Sequence, residues 1–298
     1  MNKIIVILTV ISLACLFCQC DKNVKYSDKN DIPTEELIIT EGSCFPDVAD
    51  KYVYPIKYKS DEWYQLLRDG EILKACQLPD NVLKSISTLG LIRSFIDVPN
   101  SFRQQHLYSN RMPYIPLGEI YSYNSSKELL TRKDAVKSLI AYYAVITLDC
   151  QKFSEDCWKS YEDCYELICG SIESDCFELL GDCFKILNDC DEQREFPYQL
   201  YALEWLFATP EIVGSMNHED KVEVVKLLLD RNNQWINMGY YVNTGINPGI
   251  LYVMGWIMYD DMIPYFDQKS LDSIKYVTYT ESLIDDVFAF AESFIIKK

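Results

Sequence analysis

The chain has 298 residues, and its hydrophobic share of 49%, with 13% aromatic residues, excludes wholesale disorder. The formal net charge is −17 at pH 7, so the surface repels nucleic-acid phosphates and anionic lipid head groups, and we expect no nucleic-acid partner. Histidine occurs only at His106 and His218, which leaves few residues for histidine-rich zinc sites or for Ser-His and Cys-His pairs.

The first twenty residues have the pattern of an export signal. Lys3 supplies a positive start, residues 4–17 form an almost unbroken apolar run, and the polar sequence DKNVKYSDKND follows directly. A membrane-spanning helix needs about 20 apolar residues, and this run is shorter. The length therefore favours a cleaved signal peptide over residues 1–19 rather than an uncleaved membrane anchor.

Three cysteines close this leader, and a cysteine at the cleavage point is typical of lipid attachment. Small residues usually precede the cleavage point, which favours Cys15 after Ala14, whereas the switch to polar residues favours Cys18 or Cys20. We select Cys20, with Cys18 and Cys15 as alternatives. The prediction is an exported protein that an N-terminal lipid holds on the periplasmic or cell-surface side of a membrane, with the outer membrane as the expected one.

Residues 20–36 are polar and charged without apolar periodicity, which predicts a flexible tether before a single helical domain over residues 37–298. Residues 37–60 alternate β-branched and aromatic side chains, but Pro46 and Pro55 limit the length of any strand. The rest of the domain has helical patterning. The expected fold is mainly α: an irregular helical bundle with a protruding antiparallel helical hairpin and little or no sheet.

Capping signals predict where several helices begin. The apolar run 250–258 is far too short to span a bilayer and predicts a buried helix. Residues 98–122 contain three prolines and a glycine, which predicts a long irregular loop. The predicted helix starts are Pro79-Asp80-Asn81, which opens one helix over 78–96, the pair Ser125 and Glu128, Thr209-Pro210, the pair Asn217 and Asp220, and the pair Thr278 and Glu281.

Residues 149–192 form a cysteine-rich segment in which the dipeptide Asp-Cys recurs six times. Successive cysteines of these dipeptides are seven, seven, twelve, seven and seven residues apart. Because seven residues are about two helical turns, each cysteine triplet forms one stripe on a helix. Cysteines within a triplet lie about 10.5 Å apart along the axis, beyond the about 7 Å that a disulfide allows between Cα atoms.

The cysteine positions are symmetric about Gly170, and glycine commonly follows a helix end. A fold at that point gives a helical hairpin, inserted in the domain, whose two triplets face each other. Other readings stay open: a tandem duplication that serves only as a spacer, buried thiols, or a soft-metal site unlike the standard zinc signatures. Cys44 and Cys76 are able to pair with each other, which leaves Cys169 over. The predicted disulfides are Cys164–Cys176, Cys157–Cys183 and Cys150–Cys190.

Three stretches carry a resemblance to a known family. They are CQLPDNVLKSISTLGLIRSFIDVP at 76–99, SSKELLTRKDAVKSLIAYYAVI at 125–146 and LYALEWLFATPEIVGSMNHEDKVEVVKLLL at 200–229, about a quarter of the chain. Each resembles a segment of hypothetical secreted or lipid-anchored proteins of gut Bacteroidetes. The biochemical function of that family is undefined. The resemblance therefore implies a helical fold and export from the cytosol, and it implies no catalytic residues. The cysteine-rich segment departs from the family pattern at a helix-to-helix connection.

The sequence contains no catalytic motif: GxSxG, P-loop, Rossmann and HExxH patterns are all missing. Acidic pairs such as Asp260-Asp261 and Asp285-Asp286 are adjacent in sequence. Adjacent residues do not face each other on a helix, which argues against general acid/base catalysis by either pair. We therefore predict no catalytic residue, no metal and no cofactor.

The candidate binding surface is a loop that contains Tyr240, Tyr241, Asn243 and Asn247. Tyrosine and asparagine side chains stack on and hydrogen-bond to sugars or peptides, although a helix connection that buries two tyrosines is the alternative. The predicted function is a non-enzymatic binding or structural component of the cell envelope, with a protein or glycan partner, an exposed apolar or aromatic patch and no deep polar pocket. The alternative is an envelope hydrolase with two carboxyl groups about 5–9.5 Å apart, one of raised pKa.

Overall fold

The computed structural model describes residues 37–41, 43–99, 120–148, 191–238, 248–276 and 280–296, all within one unit, Thr34–Lys298. The described fold is mainly α-helical with a two-stranded sheet, which confirms the predicted mainly α class, and the cysteines of the predicted hairpin lie outside the described residues. The two short strands pair antiparallel, with Leu37 opposite Val48. The strands are β1 (Leu37–Ile38) and β2 (Asp47–Val48), and the helices are α1 (Asp61–Arg68), α2 (Ile72–Ala75), α3 (Asp80–Ser85), α4 (Thr88–Ile96), α5 (Asn124–Thr131), α6 (Ala135–Ala144), α7 (Asp191–Phe207), α8 (Pro210–Ser215), α9 (His218–Asn237), α10 (Pro248–Ile257), α11 (Tyr259–Met262), α12 (Gln268–Tyr276) and α13 (Glu281–Ile296).

Helix α1 begins where a serine hydroxyl satisfies one of its backbone N–H groups. Ser60 Oγ accepts a hydrogen bond from Trp63 N at 3.2 Å, and acidic residues occupy the first turn. The Trp63 indole is buried, and its Nε1 donates to Pro99 O at 3.0 Å. The helix ends before Gly70, whose φ of +72° lies in the left-handed region that glycine tolerates.

The segment 78–96, predicted as one helix, is divided into α3 and α4. Ile86 has extended backbone, and Ser87 caps α4 through a hydrogen bond from Gly90 N to Ser87 Oγ. The Asp50 carboxylate fixes this break, because it accepts hydrogen bonds from Ser87 N at 2.6 Å and from Ser87 Oγ at 2.9 Å. The prediction of one continuous helix is wrong because these groups satisfy the backbone N–H groups at the break.

Two further predicted helix starts are confirmed, in addition to Pro79-Asp80-Asn81, where α3 begins at Asp80 directly after Pro79. Thr209 precedes α8, and Pro210 occupies its first turn, where a missing N–H costs nothing. Asn217 and Asp220 form a complete capping box at α9, since each side chain accepts a hydrogen bond from the other residue's backbone N–H. Both signals are local, which is why the sequence predicts them.

The predicted capping box of Ser125 and Glu128 is wrong. Helix α5 begins at Asn124 after Tyr123, which makes no side-chain capping bond, so Ser125 lies inside the helix. The Asn124 amide instead fastens the start of α5 to a segment distant in sequence, because its Oδ1 accepts from Leu78 N at 2.8 Å and its Nδ2 donates to Leu78 O at 2.7 Å.

Helix α10 lies at the centre of the C-terminal half of the described fold, where it packs against α7, α9, α12 and α13. The side chains of Ile250, Val253, Met254 and Ile257 are fully buried. Burying such side chains stabilises the fold by about 1.5–3 kcal/mol each, before the cost of ordering them. The prediction of a buried helix at 250–258 is confirmed.

Helix α4 organises the N-terminal half in the same way. It packs against α5, α6 and α7, and its Leu91, Ile92 and Phe95 side chains are fully buried. The two halves share one apolar core through α7, since α7 contacts both α4 and α10.

Candidate functional site

An open groove lies between the start of helix α12 and helix α13. Its cavity volume is about 500 Å³, within the about 300–1,000 Å³ range of typical ligand sites. We name it the aromatic groove. It is lined by Tyr265, Phe266, Asp267, Ser270, Asp286, Ala289, Phe290 and Ser293.

The periodicity of α13 explains which side chains reach this groove. Positions four, four and three residues apart along α13 point into the core, which is the spacing of one helix face. Phe290 lies at the edge of that face, half-buried, while Asp286 is exposed. The groove side chains of α13 are therefore the flank of an amphipathic helix. The buried face consists of Leu283, Val287, Ala291 and Phe294.

Aromatic rings form one wall of the groove. A turn after α11, in which Tyr265 N and Phe266 N both donate to Met262 O, brings these rings beside Phe290. The Tyr265 and Phe290 ring centroids are 5.5 Å apart, and the Phe266 and Phe290 centroids are 5.8 Å apart. Tyr265 is nevertheless 65% exposed, and nearby Ile263 is 51% exposed. The wall therefore offers apolar surface to a ligand or partner.

Two carboxylates form the polar part of the groove. Asp267 caps α12, because its Oδ1 accepts a hydrogen bond from Ser270 N at 2.7 Å, and this bond lowers the pKa of the Asp267 carboxyl. Asp286 lies across the groove on α13. Among the groove's described lining residues none is basic. Ionised carboxylates only accept hydrogen bonds, so the groove favours a ligand that donates them.

A polar cluster in the interior joins α6, α7 and α9. Tyr143 OH donates to Glu204 Oε1 at 2.7 Å, and the Arg231 Cζ lies 5.2 Å from the Tyr143 ring centroid. Glu204 is 2% exposed and Arg231 4%. Burial raises the pKa of Glu204 to about 7, although the Tyr143 hydrogen bond and the Arg231 charge both lower it. Because all three side chains are buried, the cluster contributes to the packing of α6, α7 and α9 against one another.

A second charge cluster joins β2 to α4. Lys51 Nζ lies 2.6 Å from Asp47 Oδ1 and 3.9 Å from Asp97 Oδ2, and an Arg93 guanidinium nitrogen lies 2.9 Å from Asp97 Oδ1. Burial raises the pKa of Asp97 despite both cations. Burial also acts on Asp47, but its hydrogen bonds with Lys51 and with Val48 N outweigh burial, so the pKa of Asp47 is lowered.

The acids of raised pKa do not line the aromatic groove. Among the residues that the structure describes, these acids are Asp97, Glu204 and Asp230, and of the groove carboxyls Asp267 has a lowered pKa. A carboxyl group acting as general acid needs a raised pKa and must face the substrate. These described residues therefore give no support to the carboxylate-pair hydrolase.

The described contacts of the adjacent acidic pairs involve single members of each pair. Asp261 is bound by Lys221 Nζ at 3.3 Å, and of the second pair Asp286, not Asp285, lines the aromatic groove. Within the described ranges, no group of three or more acidic, histidine or cysteine side chains is placed to hold a metal ion. The ring of His218 packs edge-on against Phe294, with centroids 5.2 Å apart.

Of the two cysteines among the described residues, Cys44 is disulfide-bonded and Cys76 is not. Cys76 is 1% exposed in the core. The pairing of Cys44 with Cys76 that the sequence allowed is therefore excluded.

Most of the predicted site residues lie outside the described residues, so these predictions stay untested. They are the lipid-attachment candidates Cys15, Cys18 and Cys20, the hairpin cysteines Cys150, Cys157, Cys164, Cys176, Cys183 and Cys190, and the loop residues Tyr240, Tyr241, Asn243 and Asn247.

Sequence reasoning missed the aromatic groove. The local signal is the sequence IPYFDQKS, in which two aromatic residues follow Pro264 and precede Asp267, a residue type suited to a helix N-cap. A proline and a cap confine the aromatic pair to a connection between helices, where side chains are often exposed. What the local pattern lacks is Phe290, which the fold brings from α13.

A comparison with known protein families, curated proteins and solved structures finds no match to this chain. The resemblance to exported helical proteins therefore stays a prediction. In the described part of the chain, no helix has both the length and the apolar character needed to cross a bilayer.

Proposed function

We propose that this protein is a non-enzymatic binding component of the cell envelope, held at the membrane by a lipid on Cys20. Its aromatic groove is the binding surface, and its partner is another envelope macromolecule. The observation that carries this proposal is the exposure of Tyr265, 65%, within a groove that also contains two carboxylates.

The groove favours binding over catalysis for a physical reason. A large exposed aromatic ring beside exposed Ile263 offers apolar contact area, which is the usual mark of a recognition surface. The groove is open, and the pKa of its Asp267 is lowered, so that this carboxyl is poorly suited to donate a proton.

The leader sequence and the net charge of the chain support attachment to the membrane through a lipid. The apolar run at 4–17 is followed by Cys18 and Cys20 and then by polar residues, which is the order of a lipid-modified export signal. A net charge of −17 gives no attraction to anionic lipid head groups, so the attachment must come from the lipid itself.

A photo-crosslinking experiment in cells that express the full chain tests the binding proposal. A benzophenone amino acid replaces Tyr265, and in matched controls it replaces Tyr64 or Leu73, which are 42% and 41% exposed on α1 and α2. We expect irradiation to join one envelope macromolecule to position 265 and not to either control.

The outcome distinguishes specific binding at the aromatic groove from nonspecific crosslinking of any exposed position. Equal crosslinking at Tyr265, Tyr64 and Leu73, or no crosslink at Tyr265, would show that the groove is not the binding surface. Hydrolysis of envelope material that survives Tyr265→Ala would instead favour an enzyme with its site elsewhere.

A further inference from the structure

The polar lining of the aromatic groove selects the charge of its ligand. The carboxylates of Asp267 and Asp286 accept hydrogen bonds and donate none. The donors among the lining side chains are the hydroxyls of Tyr265, Ser270 and Ser293, and Ser293 Oγ already donates to Phe290 O at 2.8 Å. A sugar presents donors and acceptors in similar number, and a phosphate presents acceptors only. A guanidinium presents five donors and no acceptor, which matches this lining best.

The aromatic wall of the groove also favours a cationic ligand. The face of an aromatic ring carries negative electrostatic potential and attracts a cation placed over it. The Tyr265 and Phe290 ring centroids lie 5.5 Å apart at an interplanar angle of 51°, and both residues line the open groove. The basic residue nearest in sequence to this lining, Lys269, attracts Asp267 but does not itself line the groove.

We propose that the aromatic groove binds a basic peptide segment of a partner protein, with an arginine side chain over Tyr265 and Phe290 and its charge paired with Asp267 and Asp286. This inference rests on the proposed function, because it names the ligand of the same groove. The groove volume of about 500 Å³ accommodates an arginine side chain and part of its neighbours.

Fluorescence anisotropy with a labelled, end-blocked hexa-arginine peptide tests the proposal on the full chain in detergent at physiological salt. Tyr265→Ala should weaken binding about tenfold, and Tyr265→Phe should preserve it, because phenylalanine keeps the ring face. The double variant Asp267→Asn/Asp286→Asn should also weaken binding about tenfold, since each exposed charge pair contributes up to about fivefold. Asparagine caps helices as well as aspartate does, so this double variant keeps the start of α12 and the fold.

A matched control distinguishes binding at the groove from general attraction of the peptide to the negatively charged chain. The double variant Asp61→Asn/Asp80→Asn removes the same charge from exposed positions on α1 and α3 and should bind as the unmodified chain does. Equal weakening by the two double variants, or no effect of Tyr265→Ala, would overturn the proposal.

Two further outcomes also overturn it. One is absence of peptide binding, and the other is binding of neutral maltohexaose that depends on Tyr265, which would make the ligand a glycan. In either case a crosslink at Tyr265 in cells would still support the proposed function. Loss of that crosslink together with groove-dependent peptide binding would instead leave the ligand chemistry correct and remove the role in the envelope.

Discussion

Tyr143 donates its phenolic hydrogen to Glu204 over 2.7 Å in the interior of the protein. The two residues lie on α6 and α7, and Arg231 of α9 lies over the tyrosine ring. This contact places an acid in the core, where an ionised form is costly. The stability of the helical domain should therefore depend on the ionisation of Glu204.

We predict that Glu204→Gln makes the free energy of unfolding less sensitive to pH. The pKa of Glu204 is about 7 in the folded chain, against an ordinary value of 4.5, so the folded state binds more protons between these pH values. The stability of the unmodified chain should fall by a few kcal/mol relative to the variant as pH rises through this window. Urea unfolding of both proteins at pH 4.5, 6, 7 and 8 measures it.

A second variant checks the cause of this pH dependence. Tyr143→Phe removes a hydrogen bond that lowers the pKa of Glu204, so the loss of stability should extend to higher pH than in the unmodified chain. A stability difference between the unmodified chain and Glu204→Gln that stays constant from pH 4.5 to 8 would contradict a titrating Glu204.

Gly90→Ala should destabilise the domain by about 1–3 kcal/mol. An added Cβ at position 90 would lie 2.4 Å from Asp50 Oδ1 and 2.7 Å from Ile86 Cγ1, so the carboxylate that fixes the start of α4 must move. Gly214→Ala in α8 is the control, since no atom lies within 4 Å of its added Cβ. That variant should gain up to about 1 kcal/mol in the same thermal unfolding assay. Equal effects of the two substitutions would disprove the contact.

Arg93→Met should lower the free energy of unfolding by about 2 kcal/mol, because it leaves Asp97 partly buried beside Asp47. Fully buried pairs cost about 3–5 kcal/mol when broken, and the Arg93 and Asp97 side chains are 16% and 24% exposed. The double variant Arg93→Met/Asp97→Asn should recover part of the loss. Arg68→Met, at an exposed position of α1, serves as the control, and a loss of the same size there would mean that the charge cluster is not responsible.

The disulfide partner of Cys44 can be predicted from chain reach. Cys44 O accepts a hydrogen bond from Thr147 N at 3.2 Å, and Cys150 follows three residues later, within about 10 Å of extended chain. We expect peptide mapping of the unreduced protein to join Cys44 to Cys150. That bond would replace the predicted Cys150–Cys190 disulfide and leave the other two predicted hairpin disulfides possible. A peptide joining Cys150 to Cys190 would show that the hairpin prediction was correct for this pair.

The sequence predicted those helix boundaries that local groups determine. Thr209-Pro210 and the pair Asn217 and Asp220 act within one turn, so their residue types alone indicate a helix start. The break before α4 also depends on Asp50, which lies 37 residues from Ser87. A contact of that separation leaves no periodic signal, and the pattern of 78–96 therefore indicated one helix.

The same difference between local and long-range contacts explains why the sequence did not predict the aromatic groove. The loop at Tyr240 and Tyr241 stood out because its tyrosines and asparagines are close together in the sequence, whereas the aromatic groove combines Tyr265 and Asp267 with Phe290 and Asp286 of another helix. Composition marks residues that are adjacent in sequence, and only the packing of α13 on the preceding turn reveals this combination.

The mass of the intact protein extracted from membranes, measured with and without reductant, tests the account most directly. An envelope component held by its lipid should lack residues 1–19, begin at Cys20 and carry the added mass of acyl chains, and Cys20→Ser should abolish that addition while Cys18→Ser and Cys15→Ser preserve it. A chain that is soluble, carries no acyl group and still begins at Met1 would contradict the export, the attachment and the envelope role together.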